Sequence, residues 1–237
     1  MSSKRNIETS DLASIEQLSQ NHRYEKRLYW RFYFVSTWLF LVTGLIPDYA
    51  NEPLGVQTFI RWFFLFLLLG PTIWAIKGMA FTRAELGLTF NGSITALVEC
   101  FYVFCILVPF LILAKIFSQN PIEPLFNWLT IRQYSSAEHW FYILSYLPHT
   151  AGQEFIARGV GILMVSRIMH DFTSLKPVLA ISVLFAVCHL HLSVSIAVGV
   201  FVTSILFGTL YRRHKSLVGV VTLHFSLGIT ATALGLI

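Results

Sequence analysis

Seven apolar stretches follow one another along the 237-residue chain, most of them long enough for a helix to cross a bilayer. They run Tyr29–Ile46, Thr58–Ile76, Ser93–Phe117, Trp140–Val165, Val178–Leu192, Val194–Tyr211 and Leu217–Ile237. A crossing takes about 20 predominantly apolar residues, with a range of about 17–25. In hydrocarbon every backbone N–H and C=O must be paired internally, so runs of this length cross as helices. The fifth stretch is short and lies only a residue or two from the sixth, so that pair reads as a tight hairpin or as one bent segment. The expected fold class is all-α: a polytopic transmembrane helix bundle of about seven spans. Composition agrees. Charged residues make up 12% of the chain, about half the share usual in soluble domains, and the mean hydropathy is +0.66.

Charge then orients the bundle. Basic residues crowd the N-terminal tail (Lys4, Arg5, Arg23, Lys26, Arg27, Arg31) and every second connection after it: Lys77 and Arg83, Arg167 and Lys176, and Arg212, Arg213 and Lys215. These are thirteen of the seventeen Lys and Arg residues. The opposite connections carry Asp48, Glu52, Glu123 and Glu138 against a lone Arg132. Positive loops stay in the cytoplasm, so the N-terminus is expected there and the C-terminus outside. The net charge of +5 follows from this asymmetry. It forms no basic soluble face, so no nucleic-acid partner is expected.

Residues 1–27 read as a cytoplasmic polar tail and 28–237 as the transmembrane bundle. Within the tail, Asp11 suits the cap of a short surface helix presenting Leu12, Ile15 and Leu18; a plain solvated tail fits equally. No cleavable signal peptide is expected, because the first apolar run starts late and lacks a small-residue cleavage site. Cys100, Cys105 and Cys188 fall in apolar runs and read as small buried hydrophobes, not as a disulfide framework or a zinc knuckle.

Chemistry concentrates in the last four stretches. In His149-Thr-Ala-Gly-Gln153-Glu154-Phe-Ile-Ala-Arg158-Gly, residues 154 and 158 are four apart and share a helical face. Gln153 is turned about 100° away and stacks over His149. His189 follows in Phe185-Ala-Val-Cys-His189, and His224 in His224-Phe-Ser-Leu-Gly228. An ionisable group at the bilayer centre costs about 2.5–3.5 kcal/mol even on lenient scales, so such residues default to a functional hypothesis. The bland alternative for Glu154 and Arg158 is a structural ion pair. For a single intramembrane histidine it is a helix–helix hydrogen bond. A carboxylate and two imidazoles on separate helices favour one shared site. At 1.5 Å per residue, Glu154 and His189 lie about 15–20 Å from the cytoplasmic ends of their helices and His224 about 10 Å, compatible with one mid-membrane cavity. His191 reads as interfacial, and His22, His139, His170 and His214 as solvated. Of the other charges in the third stretch, Glu99 reads as interfacial and Lys115 as snorkelling to an interface. With no internal repeat visible, a transporter is the weaker class.

These motifs, in order, resemble those of the CPBP family, the CAAX-prenyl-protease and bacteriocin-processing group also called Abi. Its motifs read Glu-Glu-x3-Arg, Phe-x3-His and His-x3-Asn/Asp. Here they stand as Gln153-Glu154-x3-Arg158, Phe185-x3-His189 and His224-x3-Gly228. Arg83-Ala-Glu-Leu-Gly-Leu also resembles the loop that often precedes the family's core, so 83–237 is the expected CPBP-like core. The resemblance implies a multi-pass membrane endopeptidase, bacterial inner membrane being the expected location. Its partners would be the lipid bilayer and a membrane-anchored protein or peptide substrate, with no cofactor. In that chemistry a glutamate activates water while histidine and asparagine stabilise the oxyanion.

Two departures matter. The family's first glutamate is Gln153 here, and an amide is no general base. The asparagine or aspartate of the third motif is Gly228. One reading keeps catalysis: Glu154, poised by Arg158, deprotonates a water held with His189, while His224 and Gln153 donate to the oxyanion. A second reading has the chain impaired in catalysis and acting as a peptide-binding or immunity protein. A third places a metal between Glu154, His189 and His224. Substrates of relatives span prenylated proteins, bacteriocins and C-terminal sorting tails.

Overall fold

The structure, a computed structural model, describes residues 2–46, 52–118 and 136–236. Among these residues all regular structure is helical. In chain order the helices are α1 (Ser2–Gly44), α2 (Leu54–Ile76), α3 (Ser93–Ser118), α4 (Ser136–Glu154), α5 (Leu163–Ile168), α6 (Lys176–Val187), α7 (Val194–His214) and α8 (Leu217–Ala233). A π-helical segment, Phe155–Ile162, joins α4 to α5 without a break. By length and composition, Leu54–Ile76, Ser93–Phe117 and Val194–His214 suffice to cross a membrane, and α6 and α8 are shorter apolar helices. With α1 and the α4–π–α5 rod, the bundle accounts for about seven passages.

Outward-facing residues confirm the solvent the bundle is built for. Phe59, Phe63, Phe66 and Ile73 on α2, Phe101, Ile106 and Phe110 on α3, and Val194, Val198 and Val202 on α7 are all exposed. A water-soluble surface seldom carries such a continuous apolar band. Two apolar clusters fill the inside. One joins Val178 and Ile181 of α6 to Phe207, Leu210, Val220 and Leu223 of α7 and α8; the other packs Leu28 and Ala75 against Val160 and Met164.

The basic end of the bundle is tied by polar contacts. Arg167 donates to Tyr24 Oη at 2.7 Å and pairs with Glu85, while its guanidinium lies 4.8 Å from the Phe81 ring centroid. Arg31 donates to Ala75 O at 3.1 Å and also to Lys77 O. Tyr211 Oη donates to Glu85 O, and Leu217 N donates to Gly87 O, both at 3.1 Å. The loop holding Arg83–Leu88 is thereby fixed over the ends of α5, α7 and α8. Ser193 and Ser216 cap α7 and α8, accepting from Ile196 N at 3.1 Å and Val218 N at 3.4 Å.

Several local expectations change. The backbone is helical from Ser2, so the polar tail continues into the first apolar run as one helix. The side chain of Asp11 lies outside the described residues, as does that of His139. Lys115 is 3% exposed and does not snorkel. The His214 side chain is only 8% exposed, and Glu99 pairs with both it and Arg213. Cys105 faces outward, whereas Cys100 is buried. His170 sits at the basic end, 3.7 Å from Glu25 and largely exposed as expected.

Candidate functional site

Glu154 is the last residue of α4 before the π segment opens, and its side chain is 0% exposed. Oε1 accepts from two groups at once: Arg158 Nη1 at 3.1 Å and His224 Nδ1 at 2.7 Å. Oε2 is equally buried and has no hydrogen-bond partner among the described residues. The expected i, i+4 pairing is present even though the chain between the two residues is π-helical, a form that recurs at functional sites.

Arg158, 1% exposed, is anchored beyond Glu154. Nη2 donates to Ser204 Oγ at 2.9 Å and Ser204 O at 3.3 Å, both on α7. Its guanidinium lies 4.5 Å from the Phe185 ring centroid and 5.4 Å from that of Phe207. Aromatic faces offer a cation negative charge density without adding a second anion. Three helices therefore hold one guanidinium. Close packing along the same rod depends on Gly159, where a Cβ would come within 2.8 Å of Leu86 O.

His224 donates its Nδ1–H to the carboxylate, which in the neutral ring leaves the lone pair on Nε2. This is the carboxylate–imidazole arrangement that fixes a histidine's tautomer and orientation in hydrolases. Rings of Phe185, Phe207 and Tyr146 surround it at centroid distances of 6.0, 5.7 and 6.5 Å.

His189 does not join this cluster. Its Nδ1–H donates to Phe185 O at 2.7 Å, four residues back, and its ring lies 4.8 Å from that of Phe185. The Phe185 ring thus packs against His189, Arg158 and His224 alike, at 4.8, 4.5 and 6.0 Å. His189 lines a cavity of about 110 Å³, together with Arg61, His149, Gln153, Phe185, Cys188 and His191. Of Glu154, His189 and His224, His189 lines this cavity, while the other two bond to each other behind it. The carboxylate pairs with one imidazole, and Gln153 faces the other. The reason is helical geometry: adjacent residues 153 and 154 point about 100° apart, so they reach different neighbours. Among the described residues, no three His, Cys, Asp or Glu side chains converge as a metal site requires. The geometry gives the metal reading no support. A larger open groove beside Gln20–Arg31 is walled by α1 alone and encloses nothing.

Some site residues carried readable signals and others did not. Arg61 is a cation about a third of the way along the apolar α2, open to the reasoning that singled out Glu154. Ser204 and Phe207 in the apolar α7 carry no such signal, since only tertiary packing brings them to Arg158. Tyr146, stacked on His149 at 6.2 Å and 19°, was hidden among the chain's many aromatics.

The sequence pattern of the Rce1-like family, described as type II CAAX prenyl endopeptidase Rce1-like, matches residues 135–230. That span runs from α4 to most of α8 and includes all three motifs, so their resemblance to CPBP proteases is met. No curated protein and no solved structure matches the chain.

Proposed function

We infer that this chain, whose residues 135–230 are Rce1-like, is an integral membrane endopeptidase in which Glu154 and His224 form one acid–base unit. The observation that carries this is the lopsided use of the carboxylate. A purely structural Glu–Arg pair would be expected to spread its donors over both oxygens, the bidentate fork being the strongest geometry. Here Arg158 and His224 crowd one oxygen, and Oε2 is buried with no partner among the described residues. A buried acceptor that no protein group satisfies costs about 1–3 kcal/mol unless a water or a ligand takes it up, which makes Oε2 the oxygen suited to hold the attacking water.

The step written on this geometry is a hydrolysis. A water hydrogen-bonded to Oε2 gives up a proton to the carboxylate as its oxygen attacks the peptide carbonyl carbon. The carbonyl π electrons move to oxygen. When the tetrahedral intermediate collapses, the C–N bond breaks and the proton held by Glu154 passes to the departing nitrogen. His224 stays bonded to Oε1 throughout and shares the changing charge. Arg158 balances the anion in a medium that screens little, and Ser204 keeps the guanidinium in place. The cavity lined by Gln153, His149 and His189 receives the substrate chain beside this unit.

The substrate is a membrane-anchored protein or peptide, and a C-terminal sorting tail suits a site inside the bilayer. The basic end of the bundle faces the cytoplasm, which puts the N-terminus there, in a bacterial inner membrane. The test compares new peptide termini in membrane fractions of cells making the wild-type chain and the Glu154→Gln variant. Wild-type-dependent termini that vanish in the variant support the reading; termini that persist overturn it.

One observation favours a second reading. Gln153, not Glu154, lines the cavity, as suits a peptide-binding or immunity protein. That reading predicts no wild-type-dependent termini, and a photo-crosslinkable peptide captured equally by the wild-type chain and Glu154→Gln.

A further inference from the structure

Gly228 lies four residues after His224, on the same face of α8. A Cβ placed on it would stand 2.2 Å from Tyr146 Oη, 2.7 Å from Tyr146 Cε1 and 2.8 Å from Tyr146 Cζ. No side chain fits while Tyr146 keeps this position. The phenol of α4 fills the volume that the third motif assigns to its own side chain. The match extends to the polar atom. From bond lengths of about 1.52 and 1.33 Å, an asparagine's amide nitrogen lies about 2.4 Å from its own Cβ. The Tyr146 oxygen, at 2.2 Å, occupies that radius.

We propose that Tyr146 is a catalytic residue that supplies, from α4, the oxyanion donor that position 228 lacks. The proposal rests on the endopeptidase reading above. Its chemistry is simple: the phenol O–H donates to the oxygen that gains charge as the carbonyl is attacked, and no proton is transferred. A donor aimed at developing charge in a water-poor site is among the strongest single catalytic contributions.

The surroundings hold the ring where such a donor must be rigid. Tyr146 stacks on Tyr142 at 5.6 Å and 9° and on His149 at 6.2 Å and 19°. It packs against Phe225 at 6.0 Å and meets the His224 ring edge-on at 6.5 Å. Tyr142 is fixed in turn, its Oη lying 3.2 Å from Thr232 Oγ1, and that hydroxyl donates to Gly228 O at 3.0 Å. The glycine and the phenol are therefore braced by one network spanning α4 and α8. The donor stands next to the imidazole that holds Glu154.

The experiment uses the full chain in membranes and follows the rate at which wild-type-dependent peptide termini appear, with thermal stability in detergent measured in parallel. Tyr146→Phe keeps every ring contact and removes only the hydroxyl. The expected result is a rate lower by about 10²-fold or more at unchanged expression and nearly unchanged melting temperature. A rate within about threefold of wild type would overturn the proposal. Reciprocity gives the second arm. Gly228→Asn alone should destabilise the protein through the clash, whereas Tyr146→Ala/Gly228→Asn should be at least tenfold faster than Tyr146→Ala. A double variant no faster than the single one also overturns it. Activity surviving in Glu154→Gln, or no wild-type-dependent termini at all, would instead remove the endopeptidase reading and this proposal with it.

Discussion

Two Glu–Arg pairs in this bundle share the same chemistry and differ in almost everything else. Glu85 and Arg167 meet at the basic end with side chains 36% and 23% exposed. Thr82, Tyr24 and Phe81 surround them. Glu154 and Arg158 meet inside the bundle at 0% and 1% exposed, and their other partners are one imidazole and one serine. The first pair staples a loop to the helix ends, and water takes over whenever it opens. The second has no such fallback. Two charges withdrawn from water are seldom repaid in full by mutual attraction, and well-packed apolar replacements are often more stable. A pair kept where it costs stability invites a functional explanation; a pair kept where it is nearly neutral does not.

Breaking the inner pair should give the largest effect. Arg158→Met leaves the Glu154 carboxylate buried against His224 alone and should lower stability by about 3–5 kcal/mol, read by thermal denaturation in detergent. Adding Glu154→Gln should recover most of that loss while leaving the protein without activity. If the double variant remained as unstable as the single one, the pair would be structural, and the contrast with Glu85–Arg167 would disappear. Ser204→Ala removes the 2.9 Å bond that steadies the guanidinium and should cost about 1–3 kcal/mol, with a drop in cleavage rate, by the same melts and the terminus assay. A change confined to stability would mean that Ser204 plays no part in positioning Arg158 for reaction.

The outer pair should be forgiving. Glu85→Gln should change stability by about 0–1 kcal/mol and leave cleavage unaltered, because the site is half in water. The smallest effect is its pH dependence. Partial burial pushes the Glu85 carboxyl up. Hydrogen bonds from the Thr82 N–H and hydroxyl and from Arg167, with that guanidinium's charge, outweigh it and hold the group below its ordinary value. Its contribution is thus complete above the ordinary carboxylate pKa of about 4.3 and fades as the pH falls through the lower folded value. Melting curves of wild type and Glu85→Gln should run parallel near neutrality and converge on acidification. Divergence instead would put the pair's role elsewhere. Asp171 behaves alike at the turn before α6, where bonds from Ser174 and Thr173 hold its carboxyl down to about 2.

Much of the site was legible because the bilayer makes ionisable residues conspicuous. Glu154, Arg158, His189 and His224 stand out against apolar runs, and the spacing of 154 and 158 foretold their contact. The partition was not legible. Nothing in Phe185-x3-His189 announces that the phenylalanine ring would pack on Arg158 and His224 as well as on His189, or that the histidine's Nδ1 would be spent on its own helix. Nor does the stretch Phe155–Ile162 announce its π form, since that depends on what α6, α7 and the Arg83–Leu88 loop press against it. His214 taught the same lesson: position near a helix end does not decide exposure when a neighbouring helix supplies a partner, here Glu99 of α3.

By itself the sequence determined the all-helical class, the approximate number of passages, the basic end and the residues on which chemistry could rest. Those follow from run length, charge and the cost of leaving polar groups bare in hydrocarbon, which act along the chain and need no neighbours. Tertiary structure alone decided that Glu154 would meet His224 and not His189, that Ser204 would anchor Arg158, and that a phenol from α4 would stand where Gly228 leaves room. Those depend on which helix faces touch, and contacts between residues 46 or more positions apart are set by packing, not by local pattern.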